Sequence, residues 1–420
     1  MKINHRLLYL QYIFIFIALE PIIKTVLTWN VSEKRTLLQY NIIHYSYISI
    51  ALESLIIILV VTSGIDLTKV IKRLPLFQIM MIILVAASAL LSAVSVVFNP
   101  DQVWIATLVW LIHFLFVYSL ISISLHSNLF NASIFWKTVL ISAIGYVLLV
   151  IIFVNAVPNP TLYPWVDHMP GVTNLRHIGY FLSPALAIVV GLYFSNTGSR
   201  VTLVSVFIFL ACFGAWSGSK GIFFALVTSL PIALIIYPEL RNLRRWLILF
   251  AALVIAIVLS TKIPTPSPQF GLTDRITQSL EGKGPELSNG RKMIWTETVR
   301  MIGMSPLIGY GAGMYRKKIT STTGYSYNHP HNLILQMLFQ WGLIGAAGIF
   351  SLIVTAWLKA VKTAKSVGVQ TAPALLVLND LLAYSLFDGT GYYPWPITVM
   401  IIAVASILMT HNSALQSCKR

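Results

Sequence analysis

The chain has 420 residues, of which 57% are hydrophobic and 10% charged, with a net charge of +16. Charged residues run at under half of the roughly 25% usual for a soluble domain, which excludes a water-soluble fold, and apolar runs recur from end to end, leaving no stretch for a separate globular domain. The two cysteines, Cys212 within an apolar run and Cys418 near the C-terminus, exclude a disulfide framework, and the positive charge is in such a chain first a question of sidedness rather than of nucleic acid.

Apolar windows of about 20 residues predict an all-α integral membrane protein with twelve transmembrane helices, at 7–28, 39–62, 74–97, 103–126, 133–156, 177–195, 200–216, 220–237, 245–262, 331–358, 372–387 and 392–411. Met1 to Arg6 followed by an apolar stretch has the charge pattern of a signal sequence, but no small-residue cleavage site follows, so a retained first helix is expected. One integrated membrane domain results: helices 1–9 within 1–262, a large loop at 263–330, and helices 10–12 within 331–420. With the N-terminus in the cytoplasm, fifteen of the 29 Lys and Arg fall in inside segments and four (Lys34, Arg35, Arg176, Lys220) in short outside loops. Nine more lie from Lys262 to Lys318, a segment too long for the charge rule to govern. The bias predicts both termini inside and the long loop outside.

That loop opens with Pro264, Pro266 and Pro268, which stop helix continuation. After a Gly- and Pro-bearing stretch, Asn289 can cap a helix with Ile294, Trp295, Val299 and Ile302 on one side, ending before Pro306 and a Gly309-Tyr310-Gly311-Ala312-Gly313 turn. A helix lying on the membrane and an ordinary helix covering the loop both fit.

No Gly-rich phosphate loop, paired-cysteine motif, His-Glu-x-x-His or Asp-x-Asp is present, which argues against nucleotide-driven work. What the topology gathers on the outer face is polar. Arg176 and His177 begin helix 6, Lys220 lies in the turn Ser217-Gly218-Ser219-Lys220-Gly221, and Arg291 opens the loop helix. His329, His331 and Asn332 lead into helix 10, and Asp388 precedes helix 12. Plainer roles stay open for each. Arg176 and Lys220 also suit interface anchors, Arg291 a solvated cation, Asp388 a helix cap, and the two histidines turn formers or a metal pair that finds no third ligand at a useful spacing. Within the spans, Glu20 and Lys24 are four apart and can pair. Glu53 and Asp380 have no local partner, and bonding between helices is the expected role.

Three blocks carry a resemblance: Ser288-Asn289-Gly290-Arg291-Lys292-Met293-Ile294-Trp295, then Ser305-Pro306-Leu307-Ile308-Gly309-Tyr310-Gly311-Ala312-Gly313, then His329-Pro330-His331-Asn332 followed by Leu333, Leu335, Gly342 and Gly345. Their order and spacing resemble the O-antigen ligase and polymerase superfamily. Ser219-Lys220-Gly221 looks like its Ser-Arg-Gly motif, with lysine where the family commonly has arginine. Asn174 to Tyr180 looks like its outer arginine segment. The resemblance implies a GT-C type membrane glycosyltransferase working at the periplasmic face of the bacterial inner membrane, whose donor is a glycan on undecaprenyl pyrophosphate. Ligases pass the glycan to lipid A-core, polymerases to the next repeat unit, and related oligosaccharyltransferases to Ser or Thr of a protein.

The residue chemistry is compatible with that class. A lipid pyrophosphate leaving group must be held and neutralised, for which Arg176, Lys220 and Arg291 are suitable donors, so no metal or other cofactor is expected. His177, His329 and Asn332 are expected to help bind pyrophosphate or glycan. The acceptor hydroxyl needs a base, with His331 the first choice and Asp388 the second. No obvious second outer carboxylate stands ready as a covalent nucleophile, which favours one-step inversion; Asp167, in the same loop as Arg176, is the exception to watch. Ligase is the leading expectation, polymerase and protein oligosaccharyltransferase the nearest alternatives. A transporter or flippase is the non-enzyme alternative, although such folds place charges at mid-membrane and show internal repeats. Expected partners are the lipid-linked donor, the lipid A-core acceptor and membrane lipid, without nucleic acid.

Overall fold

The structure is a computed structural model that describes residues 5–30, 36, 38–39, 42, 46–65, 68, 72, 74–96, 100–126, 130–281, 291–324 and 326–417. The chain is an all-α, multi-pass integral membrane protein, with no strand among the described residues. Its helices are α1 (His5–Leu27), α2 (Tyr47–Thr62), α3 (Leu76–Val94), α4 (Pro100–His126), α5 (Ala132–Ala156), α6 (Gly179–Phe194), α7 (Arg200–Trp216), α8 (Lys220–Ile236) and α9 (Leu243–Ser260). In the long loop lie α10 (Leu272–Leu280), α11 (Arg291–Met304) and α12 (Tyr315–Thr323), followed by α13 (Leu333–Val367), α14 (Ala372–Ser385) and α15 (Pro394–Ser417). Among the described residues, 8 helices are long and apolar enough to cross a membrane; α2, α7 and α8 are shorter apolar helices, and α14 has 14 residues.

The bundle is organised around α6, all of whose residues are buried. A helix apolar on every side has no solvent or lipid face to present and belongs inside. It packs against α14, α7, α8 and α5, and α14 in turn against α8 and α15. At Gly191 a Cβ would lie 2.5 Å from the backbone of Pro373, so α6 and α14 touch backbone to backbone, as close packing of membrane helices requires. Most predicted spans match the helices to within about three residues, but the second, read as 39–62, is helical as α2 only from Tyr47, and the last, read as 392–411, continues to Ser417. The tenth, read as 331–358, continues to Val367 because Lys359, Lys362 and Lys365 carry the helix past its apolar part.

α13 is broken at Gly342, where φ is 60° and ψ is −168°. The break leaves backbone groups without helical partners, and the loop supplies them. Leu343 N donates to Pro306 O at 2.7 Å and Ile344 N to Leu307 O at 3.3 Å, while Tyr310 N donates to Phe339 O and Gly311 N to Gln340 O, each at 2.9 Å. Irregular backbone inside a membrane protein survives only with such satisfaction. A side chain at Gly342 would both strain that φ and place its Cβ 2.2 Å from the Leu307 carbonyl carbon.

The intramembrane charges find partners on other helices as well as their own. Glu20 pairs with Lys24 at 2.7 Å and accepts from Ser49 of α2. Glu53 meets His113 of α4 at 2.8 Å and Thr398 of α15, and Asp380 of α14 accepts from Ser183 of α6 at 2.7 Å.

In the loop, α11 differs from the expected face. Ile294, Thr298 and Met301 are buried while Val299 is 57% exposed. Thr298 is admitted to the interior because its hydroxyl is satisfied by Ile294 O and the Tyr315 hydroxyl, both at 2.6 Å. Ile294 and Met301 join Tyr315 and Ile319 of α12 and Phe339 of α13 in a small apolar core that also takes in Ala93 of α3 and Val103 of α4. Asn289, the expected cap, lies outside the described residues.

Candidate active site

The N-terminal end of α6 begins the site. Asn174 Oδ1 accepts from Arg176 N at 2.9 Å and caps a 3₁₀ turn, Leu175–Ile178, that presents Arg176 and His177. His177 is buried, stacks on Tyr180 at 4.6 Å, and shares the Thr173 hydroxyl with Tyr393. Tyr180, one turn further along α6, donates its hydroxyl to Asp388 Oδ1 at 2.9 Å.

Asp388 is the hub. It sits where α14 has ended and α15 has not begun, capping the short turn Gly389–Gly391 by accepting from Gly389 N at 2.8 Å. Oδ1 also accepts from His331 Nδ1 at 2.8 Å, and Oδ2 faces Arg291 at 3.3 Å. Burial by itself would raise this carboxyl. The hydrogen bond from His331 and the charges of His331, His177 and Arg291 outweigh it and hold the group well below the usual carboxylate range. An ionised carboxylate only accepts, so His331 carries its proton on Nδ1 when neutral and leaves the Nε2 lone pair open. His331 has φ 54°, a left-handed conformation that costs a non-glycine residue roughly 1–2 kcal/mol; such strain gathers where a side chain must be aimed.

His329 is different in kind. It is buried, its Nδ1 accepts from His331 N at 3.2 Å, and its ring lies 4.2 Å from that of His331 and 4.8 Å from that of Tyr392. Burial, then the charges of His331 and His177, pull its pKa well below the ordinary histidine value, so it is a neutral wall beside Asp388 and His331. Asn332 caps α13 by accepting from Leu335 N at 3.0 Å and donates to Leu386 O at 2.9 Å, tying the His331 turn to the end of α14.

A second group of charges surrounds the turn between α7 and α8. Arg176 donates to Ser217 O at 2.9 Å and to Gln269 O at 2.8 Å, and Arg275 of α10 donates to Gly218 O at 2.8 Å. A Cβ at Gly218, where φ is +72°, would lie 3.0 Å from Arg275 Cδ and 3.2 Å from an Arg176 guanidinium nitrogen. Lys220, the first residue of α8, has a buried Nζ with no hydrogen-bond partner among the described residues. Three cations thus converge on a helix N-terminus, an arrangement suited to an anion. Asp167 is exposed and takes no part in either group.

All eight residues singled out from sequence lie in these two groups. Arg275, Tyr180 and Tyr393 were not singled out. Tyr180 had a signal, since it stands one helical turn from Arg176 and His177. For Arg275 no sequence feature marks it off from the other loop cations.

Residues 204–350 match the family model described as O-Antigen ligase. The matched stretch includes Lys220, Arg275, Arg291, His329, His331 and Asn332, while Arg176, His177 and Asp388 fall outside it. An O-antigen ligase of Pseudomonas aeruginosa is 31% identical over 106 residues, covering 25% of this chain and 26% of that protein. The chain therefore matches about a quarter of the length of this curated relative. Both matches are to O-antigen ligase sequences, and both are partial, the family model covering the helices on either side of the long loop and the loop itself.

Proposed function

We propose that the protein transfers a glycan from undecaprenyl pyrophosphate to lipid A-core at the periplasmic face of the inner membrane, with both termini in the cytoplasm. The observation that carries this reading is Asp388, bonded to His331 on one oxygen and facing Arg291 on the other, at the same end of the bundle as the cations around Gly218. The pyrophosphate of the donor lies against Arg176, Lys220 and Arg275, with Arg291 closing the gap toward Asp388. Charge-assisted hydrogen bonds from these groups stabilise the leaving group as negative charge develops on it. His331 Nε2 takes the proton of the acceptor hydroxyl. That oxygen attacks the anomeric carbon, the carbon–oxygen bond to phosphate breaks, and the electron pair leaves with undecaprenyl pyrophosphate. Asp388 holds the His331 tautomer and stabilises the imidazolium. One displacement inverts the anomeric centre, and the cations neutralise the leaving group without calling on a metal.

A lipopolysaccharide gel of a deletion strain tests the reading. Bare core together with accumulated lipid-linked polymer is the expected result, restored by a plasmid copy. Core carrying a single repeat would instead identify a polymerase, and an unchanged lipopolysaccharide with glycan missing from proteins an oligosaccharyltransferase. Purified protein that moves glycan from donor to acceptor in detergent, where there is no second compartment, excludes a transporter.

A further inference from the structure

A cavity of about 10 Å³ opens beside Asp388, with His329, Asn332, Gln336, Gly389 and Tyr392 among its walls. It has room for one group the size of a water oxygen. Gln336 is 2% exposed, yet neither its Nε2 nor its Oε1 has a hydrogen-bond partner among the described residues. One turn before it, the N-cap Asn332 already accepts from Leu335 N and donates to Leu386 O. One turn after it, Gln340 is 3% exposed and its Oε1 also lacks a partner.

A primary amide offers two donors and an acceptor oxygen. Buried polar groups are nearly always satisfied, and a polar residue facing the interior of a membrane bundle is a functional candidate by default. The missing partner must therefore be something small that both donates and accepts. The Asp388 carboxylate lining the same cavity disfavours an anion, and the Arg291 guanidinium facing that carboxylate disfavours a cation. A hydroxyl meets every condition.

We propose that Gln336 binds a hydroxyl of the acceptor's terminal sugar, with Tyr392 against the ring, so that a different hydroxyl of that sugar is brought to His331. This makes Gln336 a specificity-determining residue for the acceptor, and it rests on the transferase reading above. The acceptor is assigned to this side because the base is here, whereas the donor's pyrophosphate belongs with the cations around Gly218.

The test uses the full-length protein in proteoliposomes, with lipid-linked glycan and lipid A-core both extracted from the deletion strain. Gln336→Leu raises the KM for lipid A-core about tenfold, the size of one lost neutral hydrogen-bond set, and leaves the KM for the lipid-linked donor within about twofold. Gln336→Asn keeps the amide but withdraws it by one methylene and raises the acceptor KM as well, which covers the case in which the leucine variant does not reach the membrane. An unchanged acceptor KM in both variants overturns the proposal, and if the Gln336→Leu protein is also more heat-stable, the seat holds a structural water. Equal rises in both KM values overturn it too. Wild-type protein without any transfer would sink the transferase reading itself, before the variants are compared.

Discussion

Two groups of charge lie at one end of the same bundle and are built on opposite lines. Around Asp388, opposite charges meet directly: the carboxylate accepts from Tyr180, Gly389 and His331 and faces Arg291. Around Gly218, the two guanidinium groups are held by backbone carbonyls and the Lys220 ammonium has no hydrogen-bond partner among the described residues. The first group is complete as it stands, each of its donors already facing the carboxylate. The second is a concentration of like charge that an incoming anion relieves. On the proposed reading, the first serves the acceptor's proton and the second the donor's phosphates.

The comparison breaks most decisively at Asp388. Asp388→Asn keeps the size of the side chain but removes the charge that fixes the His331 tautomer, and transfer in proteoliposomes falls on the order of 10³-fold or more, the scale known for carboxylates that orient a catalytic histidine. Near-normal transfer by this variant would mean that the Asp388 group is only a helix cap. Lys220→Gln acts on the other group. The KM for lipid-linked donor rises about 10- to 100-fold, as expected for one charge-assisted bond, while Lys220→Arg retains most of the wild-type affinity because either cation can meet a phosphate. If the glutamine variant lost acceptor affinity instead, the division of labour would be reversed.

The smallest effect is one of pH. His329 binds protons less readily folded than unfolded. Below the unfolded value of about 6.5 the unfolded chain therefore takes up a proton that the folded chain does not, and stability declines as pH falls through that window by up to about 1.4 kcal/mol per pH unit. Above it the contribution is constant. Thermal unfolding between pH 7.5 and 5.5 should show this slope, and His329→Asn should flatten it; an equal slope in the variant would assign the dependence to another group.

Much of the bundle was legible because hydropathy and turn residues agree. The seventh and eighth spans were readable from Ser217-Gly218-Ser219, which separates two apolar runs, and the helices end at Trp216 and begin at Lys220. The break at Gly342 left no trace in hydropathy, since Phe339 to Ile344 is apolar apart from Gln340; the need for it lies in Pro306 to Gly311, some thirty residues away. In α11 a threonine took the place expected for Val299, because a hydrogen-bonded hydroxyl is not counted by an apolar pattern. For the site, the outer-face topology was enough to gather eight residues. It was not enough to say which bond to which. The pairing of His331 with Asp388 depends on the turn after α14, and the part of Gln336 on a cavity that no spacing encodes.

The splice between the loop and α13 at Gly342 bears on how the molecule comes apart. A solvent-side loop ordinarily opens at little cost and exchanges its amide hydrogens quickly. Here the amides of Tyr310 and Gly311 belong to the loop, and those of Leu343 and Ile344 to a membrane helix, yet each is bonded to the other element. Neither can open without leaving the other's backbone groups without a partner in the membrane-spanning part of the chain. Pro306 to Gly311 and α13 therefore form one cooperative unit, and in hydrogen exchange these four amides should be released together and late, with α11, which runs from Arg291 to this splice, held to the lifetime of the bundle itself.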